Sequence, residues 1–414
     1  MSGTVDAPAE HWVGLARERM MRTYPDTDLV LVSGHGSWLV DADGQEWLDL
    51  LSGIAVTAIG HAHPAVTEAV ARQASTLVHT SNLFLTTPAL ELSDRLAQLA
   101  GWPDARVFLA QCGATANEAA IKLARRHGKL QHPGKVRLVT LEGGFHGRTL
   151  ATLEATGQAS KHAPYAPLAG FVDTVPHDDP AALTAAVGPD TCAVLLEVVQ
   201  GEGGVRPLAP EMLAAARAAC DAHGALLILD EVQTGVGRTG AWFAFQHTGV
   251  VPDVVTLAKA LGNGMPIGAC IARGDAATTF VPGDHATTFG GNPVTAAAAL
   301  AVLDVIEQED VLASVVTRSA QLRIGLADVG AATGRVREVR GVGLLLGLVL
   351  EGVAAADVVA RCRAERLIVN AVASDVVRIA PPLTLTAEEA ALAIGILGRA
   401  IADAPALADA GRTA

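Results

Sequence analysis

Two residues carry the first chemical argument. Asp230 ends the apolar run Leu226-Leu227-Ile228-Leu229, and 29 residues later Lys259 interrupts a second run, Val254-Val255-Thr256-Leu257-Ala258. If both runs are buried parallel strands, their ends lie side by side. They then hold a carboxylate and an amine at opposite sides of one small ring. Pyridoxal phosphate (PLP) chemistry requires this pair: an amine to form a Schiff base and an acid to keep the pyridine nitrogen protonated. A lysine in an apolar setting has a depressed pKa, which suits attack on an aldehyde. Gly262 and Gly264 leave room for a ligand beside it.

Each residue also has a plainer reading. An aspartate at a strand end often caps the next turn, and a lone lysine usually snorkels to the surface. Four apolar residues before Asp230-Glu231 also match the metal-binding acid of P-loop ATPases. That alternative needs G-x-x-x-x-G-K-[ST], and the string does not occur. Leucine follows Gly128-Lys129 and valine follows Gly134-Lys135.

Further strings could surround such a ring. Gln111-Cys112-Gly113-Ala114-Thr115 joins a strand to a helix, and its small residues let backbone N–H groups close around a phosphate. Gly144-Phe145-His146-Gly147-Arg148 offers a ring to stack on a flat cofactor and a guanidinium to grip a carboxylate. Thr287-Thr288 stand in a hydroxyl-bearing loop that leads into a helix at Pro293. Each has an ordinary structural reading as turn or core chemistry. Gly60-His61-Ala62-His63-Pro64 has no acid or cysteine at ligand spacing and reads as a turn before a helix rather than a metal site.

The elements that must position these residues alternate from about residue 105. Strands are expected at 106–110, 136–141, 192–196, 225–229, 254–257 and 268–272, with helices near 117–126 and 211–222. Continuously apolar strands alternating with helices imply an α/β fold whose mainly parallel sheet is covered by helices on both faces. The flanks differ: a helix and a small antiparallel piece lie around 34–50, and short strands near 336–350 and 367–379 precede a last helix at 387–402. The expected division is a large domain over 61–299 and a smaller α+β domain built from both termini, 1–60 and 300–414. The tail from Asp403 is expected to fray.

Composition narrows the class. The formal charge of −13 argues against nucleic acid, which needs clustered cations. No apolar stretch approaches the ~20 residues of a membrane helix, and the polar start does not read as a secretory signal. Five separated cysteines without a C-x-x-C pair argue for a reducing, cytoplasmic setting.

Taken in order, the strings resemble the class III aminotransferases of PLP fold type I, from about Tyr24 to Ala402. They are Leu51-Ser52-Gly53-Ile54-Ala55-Val56, Gly60-His61-Ala62-His63-Pro64, His79-Thr80-Ser81-Asn82-Leu83-Phe84, Phe145-His146-Gly147-Arg148-Thr149, Gln200-Gly201-Glu202-Gly203-Gly204-Val205, Asp230-Glu231-Val232-Gln233-Thr234-Gly235, Lys259 and Thr288-Phe289-Gly290-Gly291-Asn292-Pro293. The resemblance implies that Lys259 holds PLP and moves the proton between substrate and cofactor. Asp230 pairs with the pyridinium nitrogen, with Glu231 beside it. Val232 and Phe145 cover the two ring faces, and Gln233 meets the ring hydroxyl. Gly113 and Ala114 bind the phosphate, and Thr288 reaches the phosphate of a neighbouring subunit in a homodimer with shared sites.

On the substrate side, the resemblance implies that Arg148, assisted by Thr287, binds an α-carboxylate. Arg378 takes the second carboxylate of 2-oxoglutarate, and Glu197 neutralises Arg378 when that carboxylate is absent. The strings around Gly53-Ile54 and Val369-Asn370-Ala371 through Arg378 to Leu383 are most similar to members acting on N-acetylornithine. Relatives that use free ornithine carry a tyrosine in the first of them. The remaining alternatives are a related amine donor (succinylornithine, succinyl-diaminopimelate or ornithine), a PLP-dependent aminomutase, which would not need the paired Arg148 and Arg378, or a PLP-binding protein without turnover. Departures from the family pattern are Gln111, Cys112 and Thr115 in the phosphate turn, Gly143-Gly144 before Phe145, Val198 after Glu197, and Thr287 where serine is usual.

Overall fold

A computed structural model describes residues 7–407. Its centre is a seven-stranded sheet in the spatial order Arg106–Ala110, Gly268–Ala272, Val254–Leu257, Leu226–Asp230, Thr191–Leu196, Arg137–Leu141, Val172–Val175. The central strands Thr191–Leu196, Leu226–Asp230 and Val254–Leu257 are buried along their whole length. This is why they read as unbroken apolar runs. Helices such as Gly113–Gln131, Pro210–His223 and Pro293–Gln308 turn alanine- and leucine-rich faces toward the core.

Two features depart from the expectation. Gly268–Ala272 runs antiparallel to both of its neighbours, so one strand breaks an otherwise parallel sheet. Apolar content cannot reveal direction in a strand buried on both faces. The edge strand Val172–Val175 was not expected; its partly exposed pattern and its Asp173 and Thr174 hide the strand signal.

The register places the chemistry. Leu226–Asp230 and Val254–Leu257 pair in parallel with Asp230 opposite Thr256. The sheet therefore delivers Asp230 and the segment just before Lys259 to the same edge. Ligands of open α/β sheets bind beyond such carboxyl ends.

The two ends of the chain meet in a second region. The strands Leu31–His35, Trp38–Asp41 and Glu46–Asp49 form an antiparallel set, and Leu367–Ile368 adds to it in parallel with Glu46–Asp49. A neighbouring sheet, Val336–Val342, Leu345–Leu350, Val376–Ile379 and Asn370–Ala373, carries Arg378. After the last helix, Ala387–Asp403, the chain does not fray at once. Ala406 bridges to Val353, and the Leu407 N–H donates to the Gly352 carbonyl at 2.8 Å. Residues 408–414, where the rest of that expectation falls, and 1–6 lie outside the described residues. No described helix is long and apolar enough to cross a membrane.

Gly268 shows how tightly the site is framed. A Cβ there would lie 2.6 Å from the Cys112 carbonyl oxygen, in the turn before Gly113. Backbone cannot yield as a flexible side chain can. Gly268→Ala is expected to cost about 1–3 kcal/mol through overpacking, read as a lower denaturant midpoint at unchanged slope. An unaltered midpoint would contradict this packing.

Candidate active site

A cavity of about 410 Å³ opens at the carboxyl ends of the central strands. Its lining includes Gly113, Ala114, Phe145, Arg148, Glu197, Asp230, Val232, Gln233 and Lys259. Asp230 forms the polar end of an apolar strand and is 3% exposed. An ionised carboxylate there needs donors, because burial without them is costly. It has three. Asn117 Nδ2 donates to Oδ2 at 2.7 Å, His146 Nδ1 lies 2.8 Å from the same oxygen, and the Val232 N–H donates to Oδ1 at 3.0 Å. Because a carboxylate only accepts, Nδ1 of His146 carries the proton. Burial opposes charge on this ring, but the hydrogen bond and the negative charge of Asp230 outweigh it and raise the His146 pKa. Asn117 is fixed in turn: its Nδ2 also donates to the His146 carbonyl at 2.8 Å, and its Oδ1 accepts from Thr256 at 2.6 Å.

Sequence reasoning missed Asn117 and His146 as partners of Asp230. A signal for Asn117 existed. It is the polar member of a helix face whose other buried members include Ala116, Ala120 and Ile121, so it demands a buried partner. His146 was visible only as part of the Phe145-to-Thr149 string.

Lys259 has φ 41°, in the left-handed region, and it opens the short 3₁₀ turn Lys259–Gly262. For a non-glycine residue this conformation costs roughly 1–3 kcal/mol and marks a place where function constrains the backbone. Burial, followed by the nearby positive Arg378, pushes the Lys259 amine down to about 8. Phe145 and Val232 line the same cavity. The Arg148 guanidinium and the Lys161 amine each lie 5.7 Å from the Phe145 ring centre. Lys161 is a second cation that sequence reasoning did not single out.

The phosphate turn keeps its architecture despite its unusual residues. Cys112 precedes the helix Gly113–Gln131, and the Thr115 hydroxyl accepts from the N–H groups of Gln111 at 3.2 Å and Cys112 at 3.1 Å. Threonine thus takes over the back-hydrogen-bond of a capping box. Gly113 and Ala114 lie in the first turn of this helix, where N–H groups have no intrahelical partner, and both line the cavity.

Arg378 is 1% exposed. The expected Glu197–Arg378 pair is not formed. Arg378 Nη1 instead meets Glu202 at 2.5 Å, and its Nε donates to Asn370 Oδ1 at 3.1 Å. Burial would raise the Glu202 carboxyl, but the charge and hydrogen bond of Arg378 outweigh it and hold it below its ordinary value. Glu197 accepts from the N–H groups of Phe145 at 3.0 Å and Gly201 at 3.3 Å. Burial pushes its carboxyl up to about 7. The reason is local geometry: Glu197 ends the buried strand Thr191–Leu196 facing backbone N–H groups, whereas the glycine-rich turn carries Glu202 toward Arg378. Gln233 Oε1 lies 3.4 Å from Arg378 Nη1. Arg378 Nη2 is buried without a partner.

Two other expectations do not hold within one chain. Glu231 does not line the cavity. Its carboxylate accepts from the Ala244 N–H at 2.6 Å, the Phe245 N–H at 2.8 Å and the Thr234 hydroxyl at 3.1 Å, and burial pushes it up to about 7. It braces the loop after Asp230, because successive side chains on an extended segment point to opposite sides. Thr287 and Thr288 line a different, larger groove of about 740 Å³, with Asn82 and Leu83. The structure therefore does not bring Thr287 to Arg148 inside a single chain; Thr288 stands in the same groove, and the phosphate expected for it is that of a neighbouring subunit.

The residues that do converge fit PLP. A carboxylate that can only accept hydrogen bonds and an amine of depressed pKa line the same cavity. An aromatic ring and a valine are available for the faces of a flat ring, and a helix start is available for a phosphate. Arg378 does not line this cavity but contacts Glu202 and Gln233, which do, and its Nη2 has no partner.

The family model for class III aminotransferases matches residues 20–401. The chain is 51% identical to an acetylornithine aminotransferase of Mycolicibacterium smegmatis, covering 89% of this chain and 92% of that one. It is 51% identical to an acetylornithine aminotransferase of Streptomyces coelicolor, covering 91% and 90%. Among solved structures it is similar to an N-acetylornithine aminotransferase from Stenotrophomonas maltophilia, with TM-score 0.81, 37% identity and 94% and 98% coverage. It is also similar to the ornithine aminotransferase from Toxoplasma gondii, with TM-score 0.91, 30% identity and 95% coverage of each chain. The converging site, the seven-stranded sheet and these matches place the chain in the PLP-dependent class III aminotransferases, of PLP fold type I.

Proposed function

We propose that this protein is an N2-acetyl-L-ornithine:2-oxoglutarate aminotransferase of arginine biosynthesis, working in the cytoplasm as a homodimer with shared sites. The observation that carries the substrate reading is the unequal state of two arginines: Arg148 lines the cavity, and Arg378 is buried against Glu202 and Gln233, which line it. Arg148 is exposed and has no ion pair among the described residues. Arg378 is buried and held by Glu202. A substrate with one carboxylate binds Arg148 and leaves the Arg378–Glu202 pair intact. A dicarboxylate displaces Glu202 and takes both cations. One pocket can thus serve both halves of a ping-pong cycle.

The amine donor is inferred from the acetylornithine aminotransferases at about half identity. It is also supported by the absence of a tyrosine at Gly53-Ile54, since neither residue offers a hydroxyl to a free α-amino acid end. The homodimer is supported by the groove that holds Thr287 and Thr288. Leu83, Phe84 and Leu85 stand 84%, 68% and 84% exposed there, an apolar surface of the kind a second copy covers.

PLP, when bound, supplies the electron sink through which an amino group moves between carbon skeletons. The chain does the rest. Asp230, pinned by Asn117 and His146, keeps a negative charge at the place where the ring nitrogen must stay protonated. Phe145 and Val232 fix the plane of the ring and exclude water from its faces. Lys259 would take the proton from the substrate carbon and carry it to the cofactor side.

Three outcomes test this reading. Acetylornithine alone should abolish the aldehyde absorbance of the cofactor, and 2-oxoglutarate should restore it; Arg378→Ala should impair the restoring half more. No loss of absorbance with acetylornithine, or equal impairment of both halves, refutes the assignment.

The second outcome concerns the support of Asp230. Asn117→Ala removes a hydrogen bond to a buried charge, worth about 1.5–3 kcal/mol, so thermal stability and turnover both fall. Asn117→Asp places a second acceptor against Asp230 and the His146 carbonyl and should be worse on both measures. A variant Asn117→Asp that matches Asn117→Ala would show that this donor does not hold the carboxylate.

The third concerns Lys259. Its folded pKa is depressed, so the reactive neutral amine gains population as pH rises toward about 8. Cofactor uptake by the cofactor-free protein should accelerate about tenfold per pH unit below that point and level above it. Stopped-flow absorbance measures this rate; a flat profile between about pH 6 and pH 8 would contradict the depressed pKa.

A further inference from the structure

A second cavity, of about 380 Å³, lies away from the one that holds Lys259. Its lining is His177, Asp178, Arg206, Pro207, Ala209, Glu338 and Arg340. His177 is 7% exposed, yet neither of its ring nitrogens has a hydrogen-bond partner. Buried imidazole nitrogens are normally satisfied, so a ring that lines a cavity with no well-formed hydrogen bond, only a backbone contact with Arg206, has capacity for an external group. Burial first, and then the positive Arg206, holds the His177 pKa below its usual value; a backbone contact with Arg206 offsets this only in part.

The cations around this ring are also under-used. Arg206 is half-buried, and it has no ion pair among the described residues. Arg340 spends its Nε and Nη2 on one acceptor, the Gly204 carbonyl, at 3.0 and 2.7 Å. Its pKa is lowered by burial, with the nearby Arg206 adding to the effect and Glu338 opposing it. Asp178 and Glu338 are exposed, where water screens them. The buried side of the cavity therefore presents a neutral imidazole donor and guanidinium groups without a carboxylate of their own.

We propose that His177, Arg206 and Arg340 form a binding site for a small oxyanion, a phosphate or carboxylate group, distinct from the PLP cavity. Arg206 supplies the charge, the imidazole supplies one N–H donor, and the remaining Nη1 of Arg340 supplies another. The exposed acids Asp178 and Glu338 in the same lining disfavour polyanions. The site is independent of the substrate reading above.

The test uses the protein loaded with PLP, so that the phosphate cradle at Gly113 is already filled. Inorganic phosphate is titrated calorimetrically at constant ionic strength held with chloride, and acetate is titrated in parallel as the carboxylate probe. Saturable binding is expected, weakened about tenfold or more in Arg206→Gln with cofactor absorbance and melting temperature otherwise unchanged. Tighter binding of phosphate assigns the site to phosphate groups, and equal or tighter binding of acetate assigns it to carboxylates. Should Arg206→Gln fail to fold or load, His177→Gln serves in its place, with the same weakening expected. No saturable binding of either ion, or equal affinity in a folded variant, overturns the proposal.

Discussion

The Asp230 carboxylate is buried at the end of a strand in which every other residue is apolar, and the rest of the site follows from keeping it charged there. An unpaired carboxylate in such a place would take up a proton or destabilise the fold around it. Three donors prevent this, and each comes from a different element: the helix Gly113–Gln131 through Asn117, the loop before Leu150 through His146, and the turn after the strand through Val232. The same helix that supplies Asn117 begins at Gly113, so the group that steadies the ring nitrogen's partner and the N–H groups suited to a phosphate share one rigid body. Thr256 ties Asn117 to the strand that leads to Lys259. The acid, the helix start and the strand that leads to the amine are linked through the side chains of Asp230, Asn117, His146 and Thr256.

A second layer of electrostatics sits above this one. Arg378 comes from the sheet built by the C-terminal half, yet it adds to burial in lowering the pKa of Lys259 at the end of the central sheet and binds Glu202 on a glycine-rich turn. A dicarboxylate that displaces Glu202 changes the charge near the lysine as well as filling the pocket. Arg340 holds the far end of that turn through the Gly204 carbonyl, at the edge of the cavity that contains His177. The turn thus stands between two cationic regions.

Much of the architecture was legible because burial writes itself into composition. Strands covered on both faces must be continuously apolar, and six of the seven strands of the main sheet could be found in that way. Direction could not, since an apolar run is the same read from either end; the antiparallel Gly268–Ala272 is the result. Val172–Val175, half-exposed at an edge, lacks the apolar signal altogether. Lys259 and Asp230 were legible because a lysine and an aspartate interrupt runs that otherwise bury everything. Glu202 was not distinguished from Glu197, because two acids five residues apart, one before a glycine-rich turn and one on it, differ only in where the turn points them.

By itself, the sequence determined the buried apolar strands alternating with helices, the placing of Asp230 and Lys259 at the ends of two such runs, and the need for small residues where the helix begins at Gly113. These depend on local patterning and strand register, which adjacent residues encode. Only the tertiary structure decided which groups complete each charge. Asn117 and His146 meet Asp230 across separations of 113 and 84 residues, and Arg378 meets Glu202 across 176. A hydrogen bond is a matter of a few tenths of an ångström and of donor direction, and neither is written in the spacing of residues so far apart along the chain. The pairing of buried charges is therefore fixed by how the sheets and helices pack.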